Sequence, residues 1–343
     1  MPTVPTAERL RAQLLSGPPA RSPEGVVERL LAVQGQDPRG ARLAVRARTE
    51  GLTAADVDRA LSEERTLLIT WLNRGTLHLV RSEDYPWLHA LTTPPLHAAN
   101  ARRLAQEGVS PAAAERGVET IERSLADEGP LTRTQLAERL DRADVPTAGQ
   151  ALVQLLLLAS LRGLTVRGPM VGRDHAHVLV RDWLGERPPV ERDRALEELA
   201  RRYLAGHGPA DDRDLARWAG LPLRDARAGL HRIGAELVER SEDGLVSLQA
   251  CRRYALAPPQ LLGAFDPLLL GWVSREAVLA GAVSLVTVSG IFRPFALVEG
   301  KAVATWSLAA GKVALEPFGP LTESTREALE ADAADVVRYL AGN

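Results

Sequence analysis

Cysteine is nearly absent. Cys251 is the single one in 343 residues, which excludes an internal disulfide and any zinc site built on several cysteines. Lysine is almost as scarce: of 42 basic residues only Lys301 and Lys312 are lysines. No apolar run reaches the length of a membrane span, Gln154 to Leu161 being too short. The N-terminus lacks the apolar core of a signal peptide, so cytoplasm is the expected location. A strong excess of either charge is missing too. The net charge is −2, so contact with a polyanion has to come from local patches and not from a global field.

What is present is ordinary for a globular protein, at 45% hydrophobic and 25% charged residues. The length suffices for roughly two to four domains with a large core. The 23 prolines and 28 glycines fit many short elements. Residues 6 to 15 read as a helix with Thr6 as a cap. Ser22-Pro23-Glu24 opens the next, with serine at the cap and proline at the first helical position. A third helix follows Thr53. Leu67 to Trp71 and Thr76 to Val80 are β-favouring runs around Leu72-Asn73-Arg74-Gly75, a hairpin signal. Three helices and a hairpin make a winged helix, and Pro94-Pro95 with the polar stretch to Ser110 leads out of it.

The same order returns twice. Helices over Ala114 to Asp127, after Thr132, and over Thr147 to Leu161 precede strands at Leu164 to Val166 and Ala176 to Val180. A third set runs from Arg192 through Asp211 to Ala219 and on to Gly234, with a wing from Glu236 to Leu248. The repeat is roughly 80 to 90 residues, weak in sequence but consistent in element order. Thereafter short strands at Val283 to Val288, Ala296 to Val298, Val303 to Trp306 and Val313 to Leu315 suggest a small barrel or curled sheet, closed by a helix from Thr322 to Leu340. The expected fold is therefore α+β, three tandem winged helices (1–98, 99–188, 189–258) and a β-rich barrel-like domain (259–343).

The stretch Leu30 to Arg48 is the centre of the functional reading. It starts as the tail of an amphipathic helix and breaks at Gly35 and Pro38. It then carries Arg39, Arg42, Arg46 and Arg48 with no acid between them. The residue before a proline is pushed out of helical geometry, so the helix ends before Asp37. On a helix Gln34 and Gln36 would diverge by about 200°, whereas in an extended turn they share a side. If the segment beyond is a strand, Arg42, Arg46 and Arg48 share one side as phosphate contacts. The residues by themselves equally allow a helix end followed by a solvated basic turn.

Gln34-Gly35-Gln36-Asp37 followed by Gly40-Ala41-Arg42 resembles the QxQ (or QxD) signature of the winged-helix DNA glycosylase family of AlkZ and YcaQ type. Three further stretches resemble that family in its own order. They are Arg74 to Val80 with Asp84 and Trp87, Phe265 to Trp272 (FDPLLLGW), and Gly290 to Pro294 (GIFRP). The resemblance implies a C-shaped clamp with duplex DNA in its concavity and Gln34 and Gln36 as the catalytic pair at the damaged nucleotide. It also implies excision of bulky or crosslinked N7-alkylguanine by a monofunctional enzyme. An N7-alkylated guanine already carries positive charge, so the base leaves neutral without a general acid. What remains is to position a water and to stabilise a sugar of oxocarbenium character, and carboxamides suit both needs. No cofactor or metal is implied, and no lysine lies near the motif to form a Schiff base.

Around that pair the roles divide. Arg39, Arg42, Arg46 and Arg48 are the DNA-binding candidates, contacts that position and do not specify. Asp37, His78 and Asp266 are possible neighbours of the site. Asp37 before Pro38 also reads as a turn residue, His78 as a core histidine of a β run, and Asp266 before Pro267 as a helix cap. Tyr85 and Trp87 pack the exit from the first wing. His175 and His177 alternate as ligands do, but no cysteine or acid cluster accompanies them. Cys251 is expected to be buried. The stretch Ala280 to Ser289, often basic in the family, is apolar. A monomer is expected, since a lesion enzyme needs no second half-site. The competing reading is a non-catalytic winged-helix regulator, which would dimerise to match half-sites.

Overall fold

The computed structural model describes residues 4–172, 174–186, 190–239, 244–248, 255–281, 285–287 and 290–342. The fold is mixed α+β and forms two compact units, residues 1–57 with 196–343, and residues 58–195. These limits differ from the divisions expected at 98, 188 and 258. The chain leaves the first unit within the helix Ala54–Ser62 and re-enters it within the helix Arg192–His207.

In the 58–195 unit the expected hairpin is present. Strands Leu67–Leu72 and Thr76–Arg81 pair antiparallel from Leu67↔Arg81 to Leu72↔Thr76, and the turn between them passes through Arg74 at φ 58° and Gly75 at φ 75°. The stretch expected to lead out of this hairpin instead forms helices Tyr85–Thr92 and His97–Gln106. Pro94-Pro95 makes the short 3-10 turn between them. Helices Pro111–Glu128, Arg133–Arg142 and Ala151–Leu161 then precede a second hairpin, Thr165–Val171 with Asp174–Leu179. The middle helix starts on a reciprocal cap, in which the Thr132 hydroxyl accepts from Gln135 N and the Gln135 side chain accepts from Thr132 N. The two hairpins join through Ile69 and Arg167.

In the other unit, Ser22 caps the helix Pro23–Leu30 by accepting from Gly25 N. Helices Arg192–His207, Asp212–Ala219 and Leu223–Arg232 precede a short hairpin, Val238–Glu239 with Val246–Ser247. They enclose an aromatic core of Tyr203, His207, Trp218 and Trp272, in which the Tyr203 and His207 rings stack at 4.8 Å. Trp272, from the FDPLLLGW stretch, donates its Nε1–H to His207 O at 2.9 Å, and the Tyr203 hydroxyl donates to Gly271 O at 2.7 Å. A Cβ at Gly271 would lie 2.6 Å from the His207 ring, so only glycine admits this approach.

The C-terminal strands run in simple antiparallel order, Gln260–Leu262, Phe295–Val298, Lys301–Ala309 and Lys312–Pro317. Among the described residues this is an open four-stranded sheet, which corrects the expected barrel. One face is covered by the final helix Glu323–Ala341, and Leu329 and Val336 of that helix share a core with Leu261, Ala296, Ala304 and Trp306. A helix thus buries the surface that closure would otherwise bury. Of the strand expected at Val283 to Val288, only 285–287 are described, with an isolated Val286↔Phe292 bridge. Cys251 lies outside the described residues.

Candidate active site

The helix Pro23–Leu30 stops at Leu31, a buried residue at φ 65°. That conformation is rare for a side chain of this kind, and it turns the chain into the short strand Val33–Gln34. A new helix, Pro38–Arg46, begins three residues beyond the strand's end at Asp37, whose Oδ1 accepts from Arg39 N at 2.9 Å and Gly40 N at 3.1 Å. Asp37-Pro38 is thus a cap and first helical position, in the same grammar as Ser22-Pro23. The sequence reading saw the proline as a breaker and missed the start that it also marks.

Gln34 and Gln36 flank this turn and converge. Gln34 Nε2 donates to Gln36 Oε1 at 2.5 Å. Gln34 is 7% exposed while Gln36 is exposed, so one carboxamide is fixed in protein and orients another that faces solvent. The pair carries no ionisable group and presents oriented dipoles only.

Of the four arginines, only Arg39 is exposed. Because the segment is a helix and not a strand, Arg42 and Arg46 fall on its buried side, which corrects the expected phosphate-binding face. Arg42 bonds back to Pro38 O at 2.9 Å. Arg46 enters the protein, pairing with Asp332 and, at 2.9 Å, with Asp335 of the final helix, and donating to Leu261 O at 3.0 Å. Burial raises the Asp335 carboxyl, but hydrogen bonds from Arg46 and Arg338 outweigh it and hold the group below the usual range. Arg48 is 1% exposed and makes a bidentate pair with Asp266 at 2.8 and 2.9 Å, with Gln13 accepting on its other side. A guanidinium enclosed in this way has no face left for a phosphate.

Asp266 therefore belongs with Arg48. It also caps the 3-10 turn Pro267–Leu269 by accepting from Leu268 N at 2.9 Å, as the cap reading expected. Near the N-terminus of the helix, Gly40 meets the loop after Leu262. A Cβ on Gly40 would lie 2.3 Å from Ala264 O, and one on Gly263 would lie 2.9 Å from Leu43 Cβ. Tyr339 of the final helix donates its hydroxyl to Arg42 O at 2.9 Å. The helix behind the glutamines is thus anchored at both ends. The sequence reading missed these anchors (Gln13, Asp332, Asp335, Tyr339). The signal for the last three was the ADAADVVRY run, where acids alternate with apolar residues at helical spacing.

His78 lies in the 58–195 unit, buried in the strand Thr76–Arg81 with Nδ1 2.9 Å from Thr76 O. Burial, and then the Arg74 charge, push its pKa down to about 3, so it is a neutral imidazole near pH 7. Tyr85 is buried, and Trp87 donates Nε1–H to Asp84 at 3.2 Å. Among the described residues no group of three His, Cys, Asp or Glu is disposed to hold a metal.

The chain is 28% identical to an interstrand DNA cross-link repair glycosylase of Streptomyces sahachiroi, over 97% of this chain and 94% of that protein. Its structure resembles that of the Streptomyces sahachiroi DNA glycosylase AlkZ with a TM-score of 0.81 at 26% identity, covering 98% of this chain and 95% of the other. The AlkZ-like DNA glycosylase profile matches residues 27–339, which include the glutamine turn, the FDPLLLGW stretch and nearly all of the final helix. The chain belongs to the AlkZ-like DNA glycosylase family.

Proposed function

We propose that the protein is a monofunctional DNA glycosylase that hydrolyses the N-glycosidic bond of bulky or crosslinked N7-alkylguanine, with Gln34 and Gln36 as its catalytic residues. The observation that carries the reading is the joined carboxamide pair at an anchored helix N-terminus. In this mechanism Gln36 Oε1, held by Gln34, accepts from a water and directs its oxygen at C1′. The C1′–N9 electron pair returns to the purine and cancels its positive charge. The water oxygen bonds to C1′ and its proton passes to solvent. Because the leaving base is already cationic, no tuned acid is required, and substrates whose base leaves as an anion are poor. The element order of three helices followed by a hairpin supports reading residues 111–179 as a winged helix, with related arrangements before and after it. The name of the Streptomyces relative supports a crosslink or bulky adduct as the substrate.

The test uses duplex DNA carrying N7-methylguanine or an N7-linked crosslink, with chelator present. Release of the base and an alkali-labile abasic site are expected. No release from any N7-alkyl duplex, combined with tight binding to one undamaged sequence, would replace the reading with a regulator.

A further inference from the structure

The 58–195 unit carries a polar cleft, of about 470 Å³, whose polar lining is Arg133, Thr134, Arg167, Asp174, His175 and His177. Arg133 and Thr134 open the helix Arg133–Arg142. Their N–H groups have no carbonyl within the helix to bond, and the helix dipole favours negative charge there. The Thr132–Gln135 cap satisfies the groups on either side of them. A helix start alone does not make a site. Here it meets a second feature: His177 is 2% exposed, lines the same cleft, and has a buried Nδ1 with no hydrogen-bond partner. Arg167 likewise has a buried Nε without one.

Both side chains are held against Trp71. The His177 ring stacks on it with centroids 6.4 Å apart, and the Arg167 guanidinium lies over it at 5.5 Å. Strand pairing places Arg167 opposite His177. Burial, then the charges of Arg167, His175 and Arg133, push His177 down to about 3. Burial and Arg133 also lower Arg167, against a smaller opposing pull from Asp174. Two guanidiniums, a helix start and a neutral imidazole thus share one opening with a single carboxylate. That setting repels cations, so the alternating histidines are not metal ligands.

We propose that this cleft binds a phosphate-type oxyanion, held by Arg133, Arg167, the N–H groups of Arg133 and Thr134, and the His177 imidazole. Several donors from different elements suit a tetrahedral group. The same chemistry is offered by free phosphate and by a backbone phosphate of a nucleic acid. The site does not depend on the excision reading, and its test does not use excision.

The test follows the His177 imidazole signal in the ¹⁵N spectrum of the full chain, assigned with His177→Gln. The chain is titrated with inorganic phosphate against chloride at equal ionic strength, and separately with undamaged duplex. Arg133 is exposed, so Arg133→Gln folds, and Arg133→Lys serves as the conservative variant. The expected result is a saturable movement of the signal by at least one ligand, weakened about tenfold or more in Arg133→Gln and partly restored in Arg133→Lys. Movement by phosphate alone identifies a free oxyanion as the ligand. Movement by duplex, with a salt slope lowered by about 1 in Arg133→Gln, identifies the nucleic-acid backbone. No movement by either ligand, or equal movement in wild type and Arg133→Gln, overturns the site.

Discussion

At the scale of residues, the two glutamines are distinguished by burial. Gln34 is enclosed and Gln36 faces solvent, so in the proposed mechanism Gln34 orients and Gln36 touches the water. The effect expected of them on that mechanism lies in the transition state more than in the ground state. Gln36→Ala is expected to lower single-turnover excision by about 10²-fold or more, in the range for loss of a preorganised dipole, with DNA affinity nearly unchanged. Gln34→Ala should do the same, and the double variant should lose less than the product, because both act on one water. Wild-type rates in both alanine variants would remove the assignment. Arg39 gives a separate expectation. It is the exposed member of the arginine run, so Arg39→Ala should lower the salt slope of duplex binding by about 1. An unchanged slope would mean that this turn does not touch the backbone.

At the scale of elements, the helix Pro38–Arg46 is the platform, and its cap and its anchors are separable. Asp37→Ala removes the cap and should cost about 1 kcal/mol. Asp37→Asn keeps a capping oxygen and should retain stability. If Asp37 also holds water through its charge, Asp37→Asn will lose excision without losing stability, a split that thermal melts and kinetics resolve together. The Arg48–Asp266 pair behaves differently, because both side chains are wholly buried. Asp266→Asn leaves a guanidinium enclosed without its counter-charge and should destabilise by about 3–5 kcal/mol, whereas replacing both with apolar residues of similar volume should recover much of that loss. Denaturant midpoints measure both. A mild effect of Asp266→Asn would show that the pair is not the anchor described.

At the scale of the whole molecule, three of the buried histidines contribute to the response to acid. His78, His177 and His207 all have pKa values near 3, each mainly from burial. Their folded values lie below the unfolded value of about 6.5, so unfolding takes up protons between those limits. Their contribution to stability is therefore full above about pH 6.5 and falls as pH drops, by about 1.4 kcal/mol per pH unit for each histidine within the window. A melting temperature that is flat from pH 6.5 to 4.5 would contradict this.

Much of this architecture was legible in the sequence, because helices and hairpins here follow local rules. Ser22-Pro23, Thr132, and Asn73-Arg74-Gly75 each mark an element edge, and the structure places edges there. The convergence of Gln34 and Gln36 followed from the break between them and the next helix. Arg46 and Arg48 were misread for a physical reason. A run of cations without acids looks like a solvated or phosphate-facing surface, and the counter-charges are far away in the chain, at Asp266, Asp332 and Asp335. Local pattern carries no record of such partners. The two helices after Thr76–Arg81 were obscured by Pro94-Pro95, which separates them without ending helical order.

The pairing of Arg46 with the final helix has a consequence for how the enzyme is made. The two partners are separated by 286 and 289 positions, so the helix behind the glutamines is synthesised early and its support late. Contacts of such range are among the last to form as a chain emerges. A nascent chain carries the complete glutamine motif long before it carries the residues that steady it. In the proposed mechanism, base excision is thereby withheld until the final helix has emerged, and a fragment containing only the first 300 residues would display the motif without its support.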